Sequence, residues 1–127
     1  MEKNTINTKG APEPIGPYSQ AVTAGNLLFI SGQIPADPST GQLVRDDISG
    51  ETHQVMKNLR AILREAGMDF SQVVKSTIFV TDLAHFGTVN EIYGQYFEKG
   101  LFPARETVQV AGLPKGAQVE ISMIAAK

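Results

Sequence analysis

The sequence contains no cysteine, and that absence removes several kinds of chemistry at once. Without a thiol there can be no disulfide, no cysteine nucleophile and no Cys-ligated zinc or iron–sulfur site. The N-terminal stretch MEKNTINTKGAPEP lacks the apolar run of a signal peptide. No segment approaches the roughly 18 to 20 apolar residues of a membrane span. We therefore expect a soluble cytoplasmic protein that has no membrane partner.

Clustered positive charge is also missing. Eleven Lys and Arg residues against thirteen Asp and Glu give a formal net charge of −2, and the basic residues are scattered from Lys3 to Lys127. A surface that binds nucleic acid normally needs concentrated positive charge. The composition therefore argues against a nucleic-acid partner.

Several catalytic motifs are absent too. The sequence has neither a Gly-rich phosphate-binding loop nor a G-x-S-x-G nucleophile motif. Its two histidines, His53 and His85, do not have the i, i+4 spacing of metal ligands on one helix. The sequence therefore predicts no metal site.

The length of 127 residues and the hydrophobic content of 42% suit a single domain, residues 1–127, around one core. Apolar periodicity and turn residues predict the order β-β-β-α-β-α-β-β. The predicted strands cover residues 3–8, 20–24, 27–33, 73–81, 106–111 and 118–126, and the helices cover 49–66 and about 82–100.

Suitable capping residues lie at the ends of both predicted helices. Ser49 is the expected N-cap of the first helix, and Gly67 is the expected residue just beyond its end. Asp82 is the expected N-cap of the second helix, which Gly100 should terminate. Because two helices can cover one face of a sheet, the pattern predicts a two-layer α+β domain.

The opposite face of the predicted sheet is not cleanly polar. Phe79 and Ile124 lie on the side away from the apolar stripes that should meet the helices. An uncovered sheet face that carries apolar groups usually contacts a partner. We therefore expect a homo-oligomer.

Arg105 stands where the stretch LFPARETVQV is about to enter a strand. Two interpretations remain open. It can form a structural ion pair with an acid such as Glu98 or Glu106, or it can bind a substrate carboxylate, which a planar guanidinium recognises with two parallel hydrogen bonds.

Glu120 is a carboxylate inside an otherwise apolar strand, and it also has two interpretations. It can lie on the exposed side of an edge strand, or it can act as a general base that handles water. A short loop joins the last two strands, so we expect them to pair antiparallel and bring Arg105 and Glu120 to one end of the sheet. Tyr18 and Ser31 are weaker candidates, and Asn90 on its own reads as a solvated helix residue.

Five segments in order resemble the Rid family of reactive intermediate deaminases, formerly called YjgF-like. They are IGPYSQAV, GNLLFISGQIP, VNEIYGQYF, FPARETVQV and LPKGAQVEISMIA, and together they span nearly the whole chain. The resemblance implies a chorismate-mutase-like α+β fold with a mainly antiparallel sheet and two helices on one face. It also implies a homotrimer around a central barrel, with active sites between neighbouring subunits.

The same resemblance implies an activity. Rid proteins hydrolyse 2-enamine and 2-imine acids, such as 2-aminoacrylate and 2-iminopropionate, to 2-keto acids and ammonia. Pyridoxal-phosphate enzymes release these intermediates, and the family uses neither a metal nor an organic cofactor. By resemblance, Arg105 holds the substrate carboxylate and Glu120 positions the hydrolytic water. The substrate-binding residues that it implies are Tyr18, Ser31, Gly32, Asn90, Arg105 and Thr107.

One position departs from the family pattern. Many relatives carry cysteine where this chain has Thr107, so thiol chemistry is excluded there while a hydroxyl hydrogen bond is still available. Three alternative functions stay open. They are a non-catalytic protein that binds small carboxylates, an RNA-cleaving or translation-inhibiting protein, and a protein-binding role that uses exposed apolar surface.

Overall fold

The computed structural model describes residues 2–45 and 47–127. Within these residues six strands form one sheet: β1 (Lys3–Ile6), β2 (Ala21–Ala24), β3 (Leu27–Gln33), β4 (Val73–Val80), β5 (Ala104–Gln109) and β6 (Val119–Ala126). The two α-helices are α1 (Ile48–Glu65) and α2 (Phe86–Gly94). The predicted order of elements is confirmed, with boundaries that differ by a few residues.

The strand order in the sheet is β1-β2-β3-β6-β4-β5. All neighbours are antiparallel except β4 and β5, which run parallel. The expected antiparallel pair of the last two strands is therefore wrong: β6 lies between β3 and β4, and β5 lies on the far side of β4. Burial explains the arrangement, because alternate β6 residues are fully buried and suit an inner strand, whereas the more polar and exposed β5 suits an edge.

Helix α1 packs an apolar stripe against the sheet. Val55, Met56, Leu59, Ile62 and Leu63 are all fully buried. The helix begins one residue earlier than predicted, and its N-cap is Asp47, whose carboxylate accepts a hydrogen bond from the backbone N–H of Gly50 at 2.8 Å. The predicted Ser49 cap is wrong, since a carboxylate two residues earlier reaches the free N–H groups of the first turn.

The predicted role of Gly67 at the end of α1 is confirmed. It follows the C-cap residue Ala66 and has a φ of 73°, a left-handed conformation that glycine adopts without a steric penalty.

Helix α2 is shorter than predicted. Asp82 does cap this region, but it caps a 3-10 turn (Leu83–His85) that leads into the helix, and its carboxylate accepts from the N–H of Ala84. The helix then ends at Gly94 and not near Gly100. The apolar period that suggested a longer helix continues into Phe97, which is buried in the core but follows the helix.

Both helices lie on one face of the sheet, which makes a two-layer α+β protein. The side chains of β6 that meet the helices are Val119, Ile121, Met123 and Ala125, and each is at most 2% exposed. The other face, here called the bare face, carries apolar groups that lie side by side across strands: Phe29 pairs with Ile124, and Phe79 with Val108. This confirms that the uncovered face is partly apolar.

Candidate functional site

Helix α2 presents three side chains to Arg105 at the start of β5. Phe86, Asn90 and Tyr93 are spaced four and three residues apart, so they lie on one side of the helix. The Arg105 guanidinium donates a hydrogen bond to the Asn90 side-chain oxygen at 2.7 Å. The guanidinium carbon also lies 5.3 Å from the Tyr93 ring centroid and 5.6 Å from that of Phe86. We call these four residues the cation half-site.

The ion-pair interpretation of Arg105 does not fit the structure. Glu106 points to the bare face, where it lies 3.1 Å from the Lys75 ammonium and accepts a hydrogen bond from Thr77 at 2.6 Å. Among the residues that the structure describes, no carboxylate lies within 4.0 Å of the Arg105 guanidinium. Arg105 therefore has an amide partner and two aromatic neighbours, and its positive charge is not balanced by an acid.

The backbone and side chains around Arg105 are well anchored. Arg105 is paired in register with Ser76 of β4, and the Ser76 hydroxyl accepts a hydrogen bond from the Tyr93 hydroxyl at 2.8 Å. Burial raises the pKa of the Tyr93 hydroxyl, against smaller opposing effects of Ser76 and Arg105. Tyr93 thus stays protonated and fixes α2 to β4, the strand next to β5. A cavity of about 450 Å³ opens here, lined by Asn90, Tyr93, Gly94, Phe102, Pro103 and Arg105.

Thr107 lies two residues beyond Arg105 and on the same face of β5. Its side-chain oxygen is buried, and within residues 2–45 and 47–127 it has no hydrogen-bond partner. Buried hydroxyl groups are normally satisfied. Thr107 is therefore an available donor or acceptor next to an available cation.

Glu120 lies on the bare face, at the start of β6, and the backbone opposite it is irregular. The register of β3 and β6 shifts between Ile30 and Gln33, so that two residues, Ser31 and Gly32, bulge out of the ladder. A Cβ atom added to Gly32 would lie only 2.6 Å from a carboxylate oxygen of Glu120. The glycine is therefore required for the Glu120 side chain to lie against the backbone at this point.

The environment of Glu120 changes its acidity. Partial burial raises the pKa of its carboxyl above the ordinary value of 4.5. It lines a cavity of about 560 Å³ together with three other predicted site residues, Tyr18, Ser31 and Gly32. We call these four residues the acid half-site.

A residue that sequence reasoning missed holds the wall of this cavity in place. Gln20 is 2% exposed, and its amide group donates to the carbonyl oxygens of Thr8 and Pro12 at 3.0 Å and accepts from the N–H of Thr8 at 2.8 Å. Ser31 is tied to the same segment, because its hydroxyl donates to the Ser19 carbonyl at 2.6 Å. Gln20 could have been found from its position directly after a proline-rich loop, because the backbone carbonyl groups of such a loop need hydrogen-bond donors.

The predicted site residues form two groups and not one. Arg105 is in register with Ser76, which is buried beneath the helices, whereas Glu120 is in register with Phe79 on the bare face. The two side chains therefore project from opposite faces of the sheet. The expectation that a β5–β6 hairpin brings them to one end is wrong, since the two strands are separated by β4.

Neither histidine joins these groups. His53 is partly buried, and its Nδ1 atom lies 2.7 Å from the Tyr96 hydroxyl. His85 lies in the 3-10 turn before α2. No helix within the described residues has the length and apolar character to cross a bilayer.

Fold and site together define a small α+β protein with a cation half-site on one face of its sheet and an acid half-site on the other. A family model described as "Endoribonuclease L-PSP" matches residues 8–127. The chain belongs to the Rid family, to which this model and the relatives below assign it.

Three relatives illustrate the similarity. The human protein named 2-iminobutanoate/2-iminopropanoate deaminase is 52% identical over 97% of this chain and 89% of its own length. The structure of a Rid-family protein of unknown function from Yersinia pestis has a TM-score of 0.96 and 51% identity, covering 99% of this chain and all of that one. The structure of Escherichia coli TdcF with bound serine has a TM-score of 0.93 and 41% identity, covering 98% of each chain.

Proposed function

We propose that this protein hydrolyses 2-imino acids, such as 2-iminopropanoate and its enamine tautomer 2-aminoacrylate, to 2-oxo acids and ammonia. Relatives of about 50% identity that carry the name 2-iminobutanoate/2-iminopropanoate deaminase support this class of reaction. The observation in this chain that carries the proposal is Arg105, a guanidinium that lines a cavity and has no acid partner among the described residues.

Arg105 binds the substrate carboxylate in this scheme. Only one of its hydrogen bonds is directed to Asn90, and a guanidinium has five N–H donors in one plane. The bond to Asn90 and the contacts with Tyr93 and Phe86 hold that plane in a fixed orientation. A carboxylate that binds it with two hydrogen bonds is oriented as well, and so is the imine carbon attached to it. The serine bound in E. coli TdcF is likewise a small carboxylic acid with a nitrogen on C2.

Glu120 handles the water. Its carboxylate accepts a proton as the water oxygen bonds to C2, and the C=N π electrons move to nitrogen. The amino group of the resulting carbinolamine takes back that proton, and the C2–N bond breaks as ammonia leaves. The hydroxyl group then loses its proton to the Glu120 carboxylate, so that C2 becomes the carbonyl carbon of the 2-oxo acid. No electron transfer is required, and a protonated imine is already a good electrophile. Positioning and charge complementarity therefore supply the catalysis.

The cleft forms between two subunits of a homotrimer. Since Arg105 and Glu120 project from opposite faces of one sheet, the same substrate can meet both only if they come from different copies of the chain. The partly apolar bare face supports such an assembly, because Phe29 and Val108 are 39% and 40% exposed in the single chain. Tyr18, Ser31 and Gly32 then line the cleft from one subunit, and Asn90 and Thr107 line it from the next.

The decisive experiment mixes two inactive variants. Arg105→Ala keeps an intact Glu120, and Glu120→Gln keeps an intact Arg105. If the two are unfolded together, refolded and assayed for decay of 2-iminopropanoate, about a quarter of the clefts in a randomly mixed ring combine both native residues. The expected result is recovery of about a quarter of the wild-type rate from two preparations that are each nearly inactive. A mixture no more active than its components would contradict the shared cleft.

Two other functions predict different results in the same assays. A protein that only binds small carboxylates would retain 2-oxobutanoate through Arg105 but would not accelerate imine decay. RNA cleavage is suggested by the description of the family model. It requires binding that weakens steeply with salt, a property that scattered basic residues and a net charge of −2 do not favour.

The substrate is supplied by a reaction that releases enamines, such as that of a pyridoxal-phosphate-dependent dehydratase.

A further inference from the structure

Lys115 has an unusual backbone conformation. Its φ is 59° and its ψ is 16°, the only non-glycine residue with positive φ among the residues described. A long side chain rarely adopts this left-handed conformation, whereas the next residue, which also has a positive φ of 74°, is a glycine. An outlier of this kind is a reason to examine what the side chain does.

Lys115 lies at the cavity that the acid half-site lines. It lines the same cavity of about 560 Å³ as Glu120, and its ammonium donates a hydrogen bond to the carbonyl oxygen of Gly41 at 2.8 Å. This bond joins two separate loops at the edge of the cavity. An ammonium has three N–H donors, so two remain for other hydrogen bonds beside the one to Gly41.

The charge of Lys115 is not neutralised by a close acid. Within the described part of the chain no carboxylate lies within 4.0 Å of its ammonium. The other charged residues that line this cavity are Glu13 and Glu120, both acids. Among the described residues, Lys115 is therefore the one cation that lines the cavity of the acid half-site.

The cavity is also large for a three-carbon acid. Its volume of about 560 Å³ is within the range of pockets that hold much larger ligands. If Arg105 of one subunit binds the 2-carboxylate, the side chain of the substrate extends into space bordered by Lys115 of the other subunit.

We propose that Lys115 binds a second carboxylate on the substrate side chain, so that the protein also hydrolyses dicarboxylic 2-imino acids such as 2-iminoglutarate. This inference rests on the function proposed above and extends its substrate class. Lys115 is a specificity residue here and takes no part in the hydrolysis itself.

The test compares two substrates in Lys115→Asn, because asparagine tolerates the left-handed conformation but has no charge. Each imine is generated in situ by an amino-acid oxidase, from alanine or from glutamate. We expect kcat/KM for 2-iminoglutarate to fall about tenfold, equivalent to about 1.4 kcal/mol. We expect the value for 2-iminopropanoate to change less than twofold. Lys115→Arg, which keeps the charge, should retain most activity on both.

Controls separate this inference from the proposed function. Lys57→Asn removes the same charge from the exposed side of α1 and should leave the ratio of the two activities unchanged. Equal losses on both substrates in Lys115→Asn, or no loss on either, would overturn the inference while leaving deamination intact. If the wild type hydrolyses neither imine, the proposed function fails. Calorimetric binding of 2-oxoglutarate and pyruvate then tests Lys115 alone, and equal affinity changes for the two would exclude its role.

Discussion

The two half-sites hold their charged groups in different ways. In the cation half-site, Arg105 is fixed by side chains of another element, with a hydrogen bond to Asn90 and ring contacts to Tyr93 and Phe86. In the acid half-site, Glu120 is fixed by backbone shape, because a strand bulge and the missing side chain of Gly32 make room for it. The first arrangement orients a permanent charge, and the second changes the acidity of a titratable one.

This difference suits the two tasks proposed for them. A carboxylate is bound best by a group whose geometry is fixed and whose charge does not depend on pH. A water molecule is activated best by a base whose pKa is brought closer to the working pH. Substitutions that affect one half-site should therefore change substrate binding, and those that affect the other should change turnover.

The largest effect is expected for Arg105→Ala. Loss of a charge-assisted, two-bond contact costs about 2–4 kcal/mol, which is roughly a 30- to 1000-fold loss in kcat/KM for 2-iminopropanoate. Arg105→Lys should also be strongly impaired, since a point charge does not reproduce the planar geometry. Arg64→Ala, on the exposed side of α1, is the matched control. A near-normal rate of imine decay in the alanine variant would exclude the assignment.

Glu120→Gln should have the next largest effect, and on a different constant. Removal of a general base lowers kcat about 100-fold, whereas the affinity for a 2-oxo acid should change little because the amide has the same shape. Stopped-flow decay of the imine and calorimetric titration with 2-oxobutanoate measure the two quantities. Glu65→Gln, at the exposed end of α1, serves as the control. Equal loss of turnover and affinity would argue that Glu120 binds substrate and does not act on water.

The pH dependence should report the same group. Because burial raises the pKa of Glu120, kcat should start to fall at a higher pH than an ordinary glutamate would give, by about tenfold per unit at the acid end. The effect on stability has the opposite sign. A carboxyl whose pKa is raised in the folded state favours folding at low pH, and this contribution is lost as pH rises through the raised pKa.

The acid loss of activity should therefore occur without unfolding by this group. Circular dichroism recorded at each pH checks that the fold persists, and the uncatalysed rate is subtracted throughout. The residual activity of Glu120→Gln should lack the acid limb. If the variant keeps it, a different group titrates.

Much of the fold was predictable because each signal was local. The order of the helices and strands along the chain and the end of α1 at Gly67 were confirmed. The order of the strands was not predictable in the same way, since a short loop before β6 suggested a hairpin. Strand pairing depends on which strand has a neighbouring strand at each of its two edges, and that is a property of the assembled sheet.

The candidate site was likewise predictable only in part. Arg105 and Glu120 stand out as charges in unusual sequence surroundings, and the family pattern identifies their neighbours. That they lie on opposite faces depends on register, which a sequence shows only once the pairing is known. Gln20 and Lys115 were missed because a sequence does not show that an amide side chain is buried or that a lysine has a left-handed backbone conformation.

Gly32→Ala tests the backbone half of the comparison and should have a moderate effect. The added Cβ would come within 2.7 Å of the Glu120 side-chain carbon as well as its oxygen, so the carboxylate must shift. A displacement of this kind should lower kcat about tenfold with little change in the melting temperature. Gly87→Ala in α2 is the control, because its added Cβ meets no atom within 4 Å. Unchanged turnover in Gly32→Ala would show that the position of Glu120 is not critical.

Thr107→Val should have the smallest effect and it sharpens the cation half of the comparison. The buried hydroxyl has no partner among the described residues, so its replacement by a methyl group of similar shape should leave the melting temperature unchanged or slightly higher. If substrate completes its hydrogen bonding, KM should rise about fivefold, the worth of one neutral hydrogen bond of about 1 kcal/mol. Thr77→Val is the contrasting variant, since its hydroxyl already donates to Glu106 at 2.6 Å on the bare face. A lower melting temperature for Thr107→Val, with KM unchanged, would mean that the hydroxyl supports the fold and does not contact the substrate.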